Sequence, residues 1–460
     1  MSALPTKIRV ARAVGRLARA SGRGGGTSLP GKVLLRLEPQ AIAELSSRLS
    51  EGSAVISATN GKTTTATMSA AILEHAGRKL VYNRAGANMA GGIAATLLSA
   101  SRGRRGIDGD TGLFEVDEFW LEQVTAQAQP RSLLLANLFR DQLDRYGELE
   151  TIADRWAGVV SGLSGSSALV LNADDPLIAD LGRGREDTTY FGVEDDSLAL
   201  PEMQHASDSK HCRNCGAPYH YDAIYLGHLG HYHCPNCGQA RPRPQIRAQQ
   251  ITLHGTSAAT FMLITPDGAR SVYLRLPGLY NVYNALAAAA LCLSLGASLV
   301  DVVAGLEKTS AAFGRAETVA LGSTTLQIML IKNPAGANEI LRTLALESEQ
   351  LDVLVVLNDN TADGRDVSWV WDADFELIAP AVRTVTCSGT RAAELAVRLK
   401  YAGVPDGVMR VYPQLRQALD AATAGAGARL YVLPTYTALL TLQEELSSRG
   451  HVEQYWERSK

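Results

Sequence analysis

Ala54-Val-Ile-Ser-Ala-Thr-Asn-Gly-Lys-Thr-Thr-Thr65 is the stretch on which the reading of this chain turns. Ala54–Ser57 is an apolar strand candidate, and a helical pattern over Thr63–Ala76 follows it. A strand that passes through a Gly-Lys turn into a helix presents unpaired backbone N–H groups and a partial positive charge, the chemistry that holds phosphate. Gly61 lets the backbone approach a ligand, Lys62 can reach terminal phosphates, and Thr63 can ligate Mg2+. The complete G-x-x-x-x-G-K-[ST] pattern is not met, because its first position is Ile56. Gly-Lys-Thr turns also arise by chance, so it is the flanking strand and helix that mark this one as a nucleotide loop.

The rhythm continues outward. Apolar runs at Leu113–Val116, Leu133–Ala136 and Ala168–Leu171 alternate with helical patterns, which predicts an α/β fold with a mainly parallel sheet. The 460 residues leave room for two or three domains. A basic segment covers residues 1–50, where Lys7, Arg9, Arg12, Arg16, Arg19, Arg23, Lys32 and Arg36 all precede the first acidic residue, Glu38. The central domain is expected over 51–313. Its rhythm breaks between Pro201 and Pro244, with a separate insert at about 205–243, and residues 250–275 are β-rich. A helix is predicted over Asn284–Leu295. A second βα series, with strands at Leu326–Ile331, Val353–Leu357, Thr384–Cys387 and Leu430–Leu433, makes 314–460 a further domain that begins near Gly314.

A net charge of −3 with 20% charged residues argues against a nucleic-acid partner. There is no apolar run long enough to span a bilayer and no signal-peptide core, so the expected location is the cytoplasm. In that reducing compartment Cys212-x-x-Cys215 and Cys234-x-x-Cys237 are metal ligands rather than disulfides. Two such knuckles can close a tetrahedral Zn2+ site. His211, His220, His228, His231 and His233 lie nearby, but four thiolates already complete the shell. A closed shell is structural; nucleic-acid binding by the ribbon is the competing functional reading.

The form T-N-G-K-T-T resembles the ATP loop of the Mur ligase superfamily, with Ala58 where that family commonly has Gly. The resemblance implies ATP on Thr59, Asn60, Gly61, Lys62, Thr63 and Thr64. Further motifs follow in the family's order over about 54–320. Phe114-Glu-Val-Asp-Glu118 resembles a metal-binding strand end, in which Glu115 joins Thr63 on Mg2+; a solvated strand terminus at Glu115, Asp117 and Glu118 is the alternative. Asn137 to Tyr146 resembles N-x-x-x-D-H-[LM]-D-R, with Gln142 in place of His. Leu171-Asn-Ala-Asp-Asp-Pro176 matches another family motif. Gly278 to Ala287 resembles the stretch whose asparagines lie at adenine, here Asn281 and Asn284, which could equally cap a helix. Phe313-Gly-Arg-Ala-Glu317 resembles the motif whose arginine, here Arg315, contacts ATP phosphate.

Three features depart from the peptide-adding members. The phosphate loop begins about 55 residues in, which leaves no room for a UDP-sugar-holding domain of roughly a hundred residues. No lysine lies between Lys79 and Lys210, so a metal-bridging carbamylated lysine cannot be built there. The four-cysteine insert is the third. After it, Lys332-Asn-Pro-Ala-Gly336 stands where relatives place a nucleotide-contacting loop, with Leu330 replacing an Asp found in some of them. Leu357 to Glu376, containing Asp363-Gly-Arg-Asp-Val-Ser-Trp-Val-Trp-Asp372, is an acidic loop at a strand end, where α/β folds put ligands. The plainer reading is a solvated loop with Trp369 and Trp371 as core anchors.

As a set these features, together with Arg23-Gly-Gly-Gly-Thr-Ser-Leu-Pro-Gly31, resemble the MurT family, ligase subunits of lipid II isoglutaminyl synthases. The resemblance implies a Mur ligase-type ATPase domain with an inserted zinc ribbon, plus a Rossmann-like C-terminal α/β domain. It also implies ATP, Mg2+ and Zn2+, and amidation of the D-glutamate of lipid II to D-isoglutamine. Ammonia would come from a GatD-type glutamine amidotransferase whose Cys–His pair receives an Asp from this chain, Asp366 or, as second choice, Asp363. Cys292 and Cys387 have no evident His partner, in keeping with a separate glutaminase. The basic segment could bring the protein to the inner face of the membrane, where lipid II resides. The alternatives are a stand-alone folylpolyglutamate synthase-like ligase and a zinc-ribbon binding protein with a vestigial ATPase.

Overall fold

A computed structural model describes residues 4–20, 28–83, 87–103, 106–141, 149–204, 207–309 and 315–452. Gln142 to Tyr146, Phe313, the expected domain boundary near Gly314 and most of Arg23–Gly31 lie outside the described residues.

Strand Ser53–Ser57 is buried along its whole length, as a strand covered on both faces must be. Its side chains alternate between two cores: Ala54 and Ile56 face one, Val55 the other. It sits inside a nine-stranded sheet, between parallel neighbours Thr111–Glu115 and Ser132–Leu135. Leu80–Tyr82 lies beyond the first of these. Ala168–Asn172, Thr188–Val193 and Ile246–His254 extend the other side in parallel, and Ala258–Thr265 and Gly268–Leu274 finish it antiparallel. The chain therefore builds outward in both directions from Ser53–Ser57, and the carboxyl end of that strand is the crevice where such sheets bind ligands.

One face carries helices Lys62–His75 and Leu279–Ser294, whose Ile72 and Leu286 share a core. The opposite face is completed by helices Leu4–Ala20, Leu29–Leu37 and Ala41–Ser46. Their Leu4, Ile8, Leu34 and Ile42 are buried with Val55 and Phe114. The basic segment thus packs on the sheet. Arg12 turns inward onto the carbonyl of Leu98 at 2.8 Å, and Lys7 pairs with Glu38 at 2.7 Å, while Arg9 and Arg16 remain exposed.

The insert occupies the crossover between the parallel strands Thr188–Val193 and Ile246–His254. It is an antiparallel hairpin, His220–Leu226 and Leu229–His233, flanked by the two cysteine knuckles. A second sheet of six strands follows, ordered Arg315–Leu321, Thr324–Met329, Arg429–Pro434, Leu351–Val356, Val382–Ser388 and Met409–Val411. Only its first pair is antiparallel. Helices Pro334–Ala345, Ala392–Tyr401, Leu415–Gly425 and Tyr436–Ser448 cover it.

Candidate active site

Gly61 ends the crevice loop with φ +83°, a conformation that favours glycine. A Cβ there would also stand 2.0 Å from Asn284 Oδ1, so a side chain at this position would have to displace the Asn284 amide. Lys62 begins the helix; its ammonium donates to the carbonyl of Ala58 and to Glu118 Oε2. Burial by itself would lower its pKa, but the carboxylates of Glu118, Asp117 and Glu115 outweigh it and hold the ammonium above its usual range. Thr63 Oγ1 donates to Glu115 Oε1 at 3.1 Å, and Glu115 Oε2 is buried with no hydrogen-bond partner. Asn83 locks that strand end through both its amide atoms, at 2.9 and 2.7 Å from the Glu115 backbone. A hydroxyl beside a carboxylate with an unused oxygen is a donor set that suits Mg2+, a cation of oxygen ligands. Glu115 and Asp117 are buried, so the solvated-terminus alternative for this segment does not hold.

The asparagine motif is corrected in one respect. Helix Leu279–Ser294 starts five residues before the predicted Asn284, from Gly278 at φ +81°, because glycine can make that turn. Asn281 and Asn284 therefore lie inside the helix and do not cap it. Asn281 Nδ2 donates to the Pro277 carbonyl at 2.7 Å, and its Oδ1 receives Asn284 Nδ2 at 3.1 Å. That chain leaves Asn284 Oδ1 over the phosphate loop, 3.3 Å from Thr65 Oγ1.

The C-terminal domain reaches the same loop. Lys332 Nζ lies 3.0 Å from the Thr59 carbonyl and 2.5 Å from Asp141 Oδ2. Asn333 accepts from Gly336 N at 2.9 Å and so caps helix Pro334–Ala345, with Pro334 at its first position. The same side chain exchanges hydrogen bonds with Asn60 at 3.0 and 3.3 Å. Arg315 opens its strand opposite Met329, and only its backbone is described. Asn137, quoted in the sequence as the head of a motif but given no role, joins the candidate site by lining its cavity and bonding Asn60. Its Oδ1 accepts from Asn60 N at 2.9 Å and its Nδ2 donates to Asn60 O at 3.0 Å. Between these elements lies a cavity of about 850 Å3, open mouth included, walled by Asn60, Gly61, Asn137, Asn284 and Lys332. Tyr280, Tyr283, Leu226 and Leu229 also line it; the two tyrosines lie within the quoted Gly278–Ala287 motif but were given no role, and the two leucines carried no sequence signal.

The four cysteines converge. All four sulfurs lie within 4.8 Å of one another, with Cys212–Cys237 at 3.6 Å and Cys215–Cys234 at 3.4 Å. Tetrahedral Zn–S bonds of about 2.3 Å require sulfurs about 3.8 Å apart, so the set fits Zn2+. Each knuckle turns on a glycine, Gly216 at φ +75° and Gly238 at φ +74°.

In the acidic loop, Asp363 is buried and both its oxygens receive Thr437, from the backbone N–H and from the hydroxyl. Asp366 is exposed; its Oδ1 accepts from Ser368 N at 2.8 Å, and hydrogen bonding at Ser368 lowers its pKa. Trp369 packs on the core as anticipated, but Trp371 does not: it is 52% exposed and lies 5.8 Å from the ring of the exposed Tyr401. Arg398 occupies the ground beneath, bonded to the Val370 carbonyl and to Glu376, which leaves the indole outside. Cys292 and Cys387 are fully buried, and burial pushes the Cys387 thiol up to about 12, the reverse of a nucleophile.

A phosphate loop at a switch point, a carboxylate strand end beside it and a second α/β domain closing over both define a Mur ligase. Residues 56–240 match the Mur ligase middle domain family and residues 330–439 the MurT ligase C-terminal family. Folds agree with a pseudomurein peptide ligase type C from Methanothermus fervidus (TM-score 0.67, 23% identity, 87% of this chain and 79% of that one). They agree also with the MurF ligase from Thermotoga maritima in complex with ADP (TM-score 0.62, 14% identity, 90% and 84%). The MurT subunit of lipid II isoglutaminyl synthase (glutamine-hydrolyzing) from Streptococcus pneumoniae is 33% identical over 93% of this chain and 93% of its own length. That from Staphylococcus aureus is 32% identical over 96% and 97%. The chain belongs to the MurT family.

Proposed function

We propose that this chain is the ATP-dependent ligase subunit of a glutamine-hydrolysing lipid II isoglutaminyl synthase. It would amidate the α-carboxylate of the stem-peptide D-glutamate in peptidoglycan synthesis. The observation that carries this reading is similarity to MurT subunits over nearly the whole chain, joined to a Gly61-Lys62-Thr63 loop whose threonine bonds Glu115. In the reaction, a carboxylate oxygen attacks the γ-phosphorus of ATP, the bond to the β–γ bridging oxygen breaks, and ADP leaves. Ammonia then adds to the acyl carbon, phosphate departs with the C–O electrons, and loss of a proton leaves the primary amide.

The protein's part is positioning and charge neutralisation. Backbone N–H groups from Gly61 onward and Lys62 hold the phosphates, with Thr59, Asn60 and Thr64 around them. Thr63 and Glu115 would hold Mg2+, which neutralises phosphate charge. Asn281 and Asn284 serve the base side, with Arg315 and Lys332 contributed from the C-terminal domain. Cys212, Cys215, Cys234 and Cys237 would hold a structural Zn2+.

The ammonia source in this proposal is a GatD-type amidotransferase. Asp366 is the carboxylate lent to its Cys–His pair, because Asp363 is committed to Thr437. The exposed rings of Trp371 and Tyr401, 5.8 Å apart, give a partner apolar surface to cover at the element that follows Asp366. Among the described residues no helix is long and apolar enough to cross a membrane. Contact with the membrane carrying lipid II is therefore proposed as peripheral. Co-purification with the amidotransferase, addition of lipid II, ATP, Mg2+ and glutamine, and weighing of the product tests the whole proposal. The product should be lighter than lipid II by about 1 Da, the difference between OH and NH2; an unchanged mass refutes it.

A further inference from the structure

The ribbon hairpin does more than carry cysteines. Its turn, Leu226-Gly227-His228-Leu229, is driven into the central domain, and Leu226 and Leu229, 5% and 2% exposed, line the cavity beside Tyr283 and Asn284. His228 is wholly buried under that turn, with its ring 4.7 Å from the ring of Phe139, another wall residue, and its Nε2 3.4 Å from Asp175 Oδ2. Asp174, beside it in the same motif, is tied both to the ribbon and to the helix behind the cavity. Its Oδ1 receives Arg241 Nε at 2.6 Å, just past the second knuckle; its Oδ2 receives the Tyr283 hydroxyl at 2.7 Å; its carbonyl receives Gly230 N at 2.9 Å. From the other domain, Arg342 on helix Pro334–Ala345 donates to the Tyr225 carbonyl at 2.7 Å. Strand Leu229–His233 runs directly from the cavity wall to Cys234, so tip and knuckle are two ends of one short strand.

We propose that the four-cysteine ribbon is a structural arm of the nucleotide pocket. Metal at the knuckles fixes the hairpin, and the hairpin tip supplies Leu226 and Leu229 as the apolar wall against the nucleotide. Metal and nucleotide then bind with positive coupling although their sites are separate. The inference rests on the nucleotide and zinc readings above. Coupling of this kind is reciprocal, so whatever factor zinc adds to nucleotide affinity, nucleotide adds to zinc affinity. The motif at Asp174 and Asp175, to which no chemistry was assigned, acquires a reason: it seats the ribbon.

The test uses the full chain with ADP and zinc as probes. Calorimetry measures the ADP Kd of zinc-loaded protein and of protein stripped by a chelator, and zinc release to a chromogenic chelator is followed with and without saturating ADP. Zinc loss should weaken ADP at least about tenfold, and ADP should tighten zinc by the same factor. Because stripping could unfold the chain, Leu229→Ala and Leu226→Ala are measured with all four cysteines in place. Each should keep one zinc and weaken ADP by about tenfold or more, the scale of lost apolar contact in a pocket. An ADP Kd within twofold of the parent in both variants, or zinc release indifferent to ADP, overturns the coupling while leaving the proposed reaction standing. Failure of the zinc-loaded parent to bind ADP overturns the nucleotide reading and the coupling with it.

Discussion

Lys62 and Glu118 form an ion pair of 2.9 Å between side chains only 10% and 7% exposed. The lysine that should clamp phosphate is also the counter-charge for a carboxylate cluster of Glu115, Asp117 and Glu118. Lys62→Met should cut turnover at least about a hundredfold, the scale of losing one preorganised charge contact. It should also destabilise the fold by about 3 kcal/mol, because Glu118 is left buried without a partner. Adding Glu118→Gln should restore most of the melting temperature and none of the turnover. Turnover returning with stability would show that Lys62 acts only on the fold.

Asp363 and Asp366 separate by partner. Asp363 holds both polar groups of Thr437 in the first turn of helix Tyr436–Ser448. Asp363→Asn should therefore cost about 1 kcal/mol of stability, as loss of a capping contact does. Asp366→Asn should leave stability and complex formation unchanged, cripple glutamine-driven amidation, and spare the reaction when ammonia is supplied directly. Equal loss with glutamine and with ammonia would remove Asp366 from the glutaminase.

The sulfur cluster predicts about one Zn2+ per chain in purified protein. Cys212→Ser should lower that content and the melting temperature together, since metal binding and folding of such knuckles are linked. Acidification should release the metal as the thiolates protonate. Active protein purified without zinc would dismiss the site.

On helix Leu4–Ala20 the exposed side chains include Arg9, Val10, Arg16 and Leu17. Each arginine near an anionic bilayer contributes about 1 kcal/mol, screened by salt. Arg9→Glu with Arg16→Glu should reduce binding of the full chain to anionic vesicles at least about tenfold. Arg12→Glu, which would strip a donor from the Leu98 carbonyl, should instead lower stability. Vesicle binding unaffected by the paired change, or by salt, would exclude an electrostatic anchor.

Much of the site was legible because its chemistry is local. A strand, a glycine with positive φ and a helix start lie within a dozen residues, and the two Cys-x-x-Cys turns each fix two ligands over four. Sequence alone therefore determined the candidate phosphate loop, the α/β class, the pairing of the cysteines into two knuckles and the family. It did not determine where helix Leu279–Ser294 begins, since Gly278 and the asparagines supply turn and cap signals together. Nor could it place Asn284 over Gly61, Lys332 beside Thr59, or Leu226 and Leu229 at the cavity. Those contacts join residues far apart in the chain, and strand order and the crossover decide them. The different surroundings of two aspartates three residues apart, on which the proposal of Asp366 rests, come from Thr437, because burial and hydrogen bonding of a side chain are set by whichever element packs against it, not by its own neighbours in sequence.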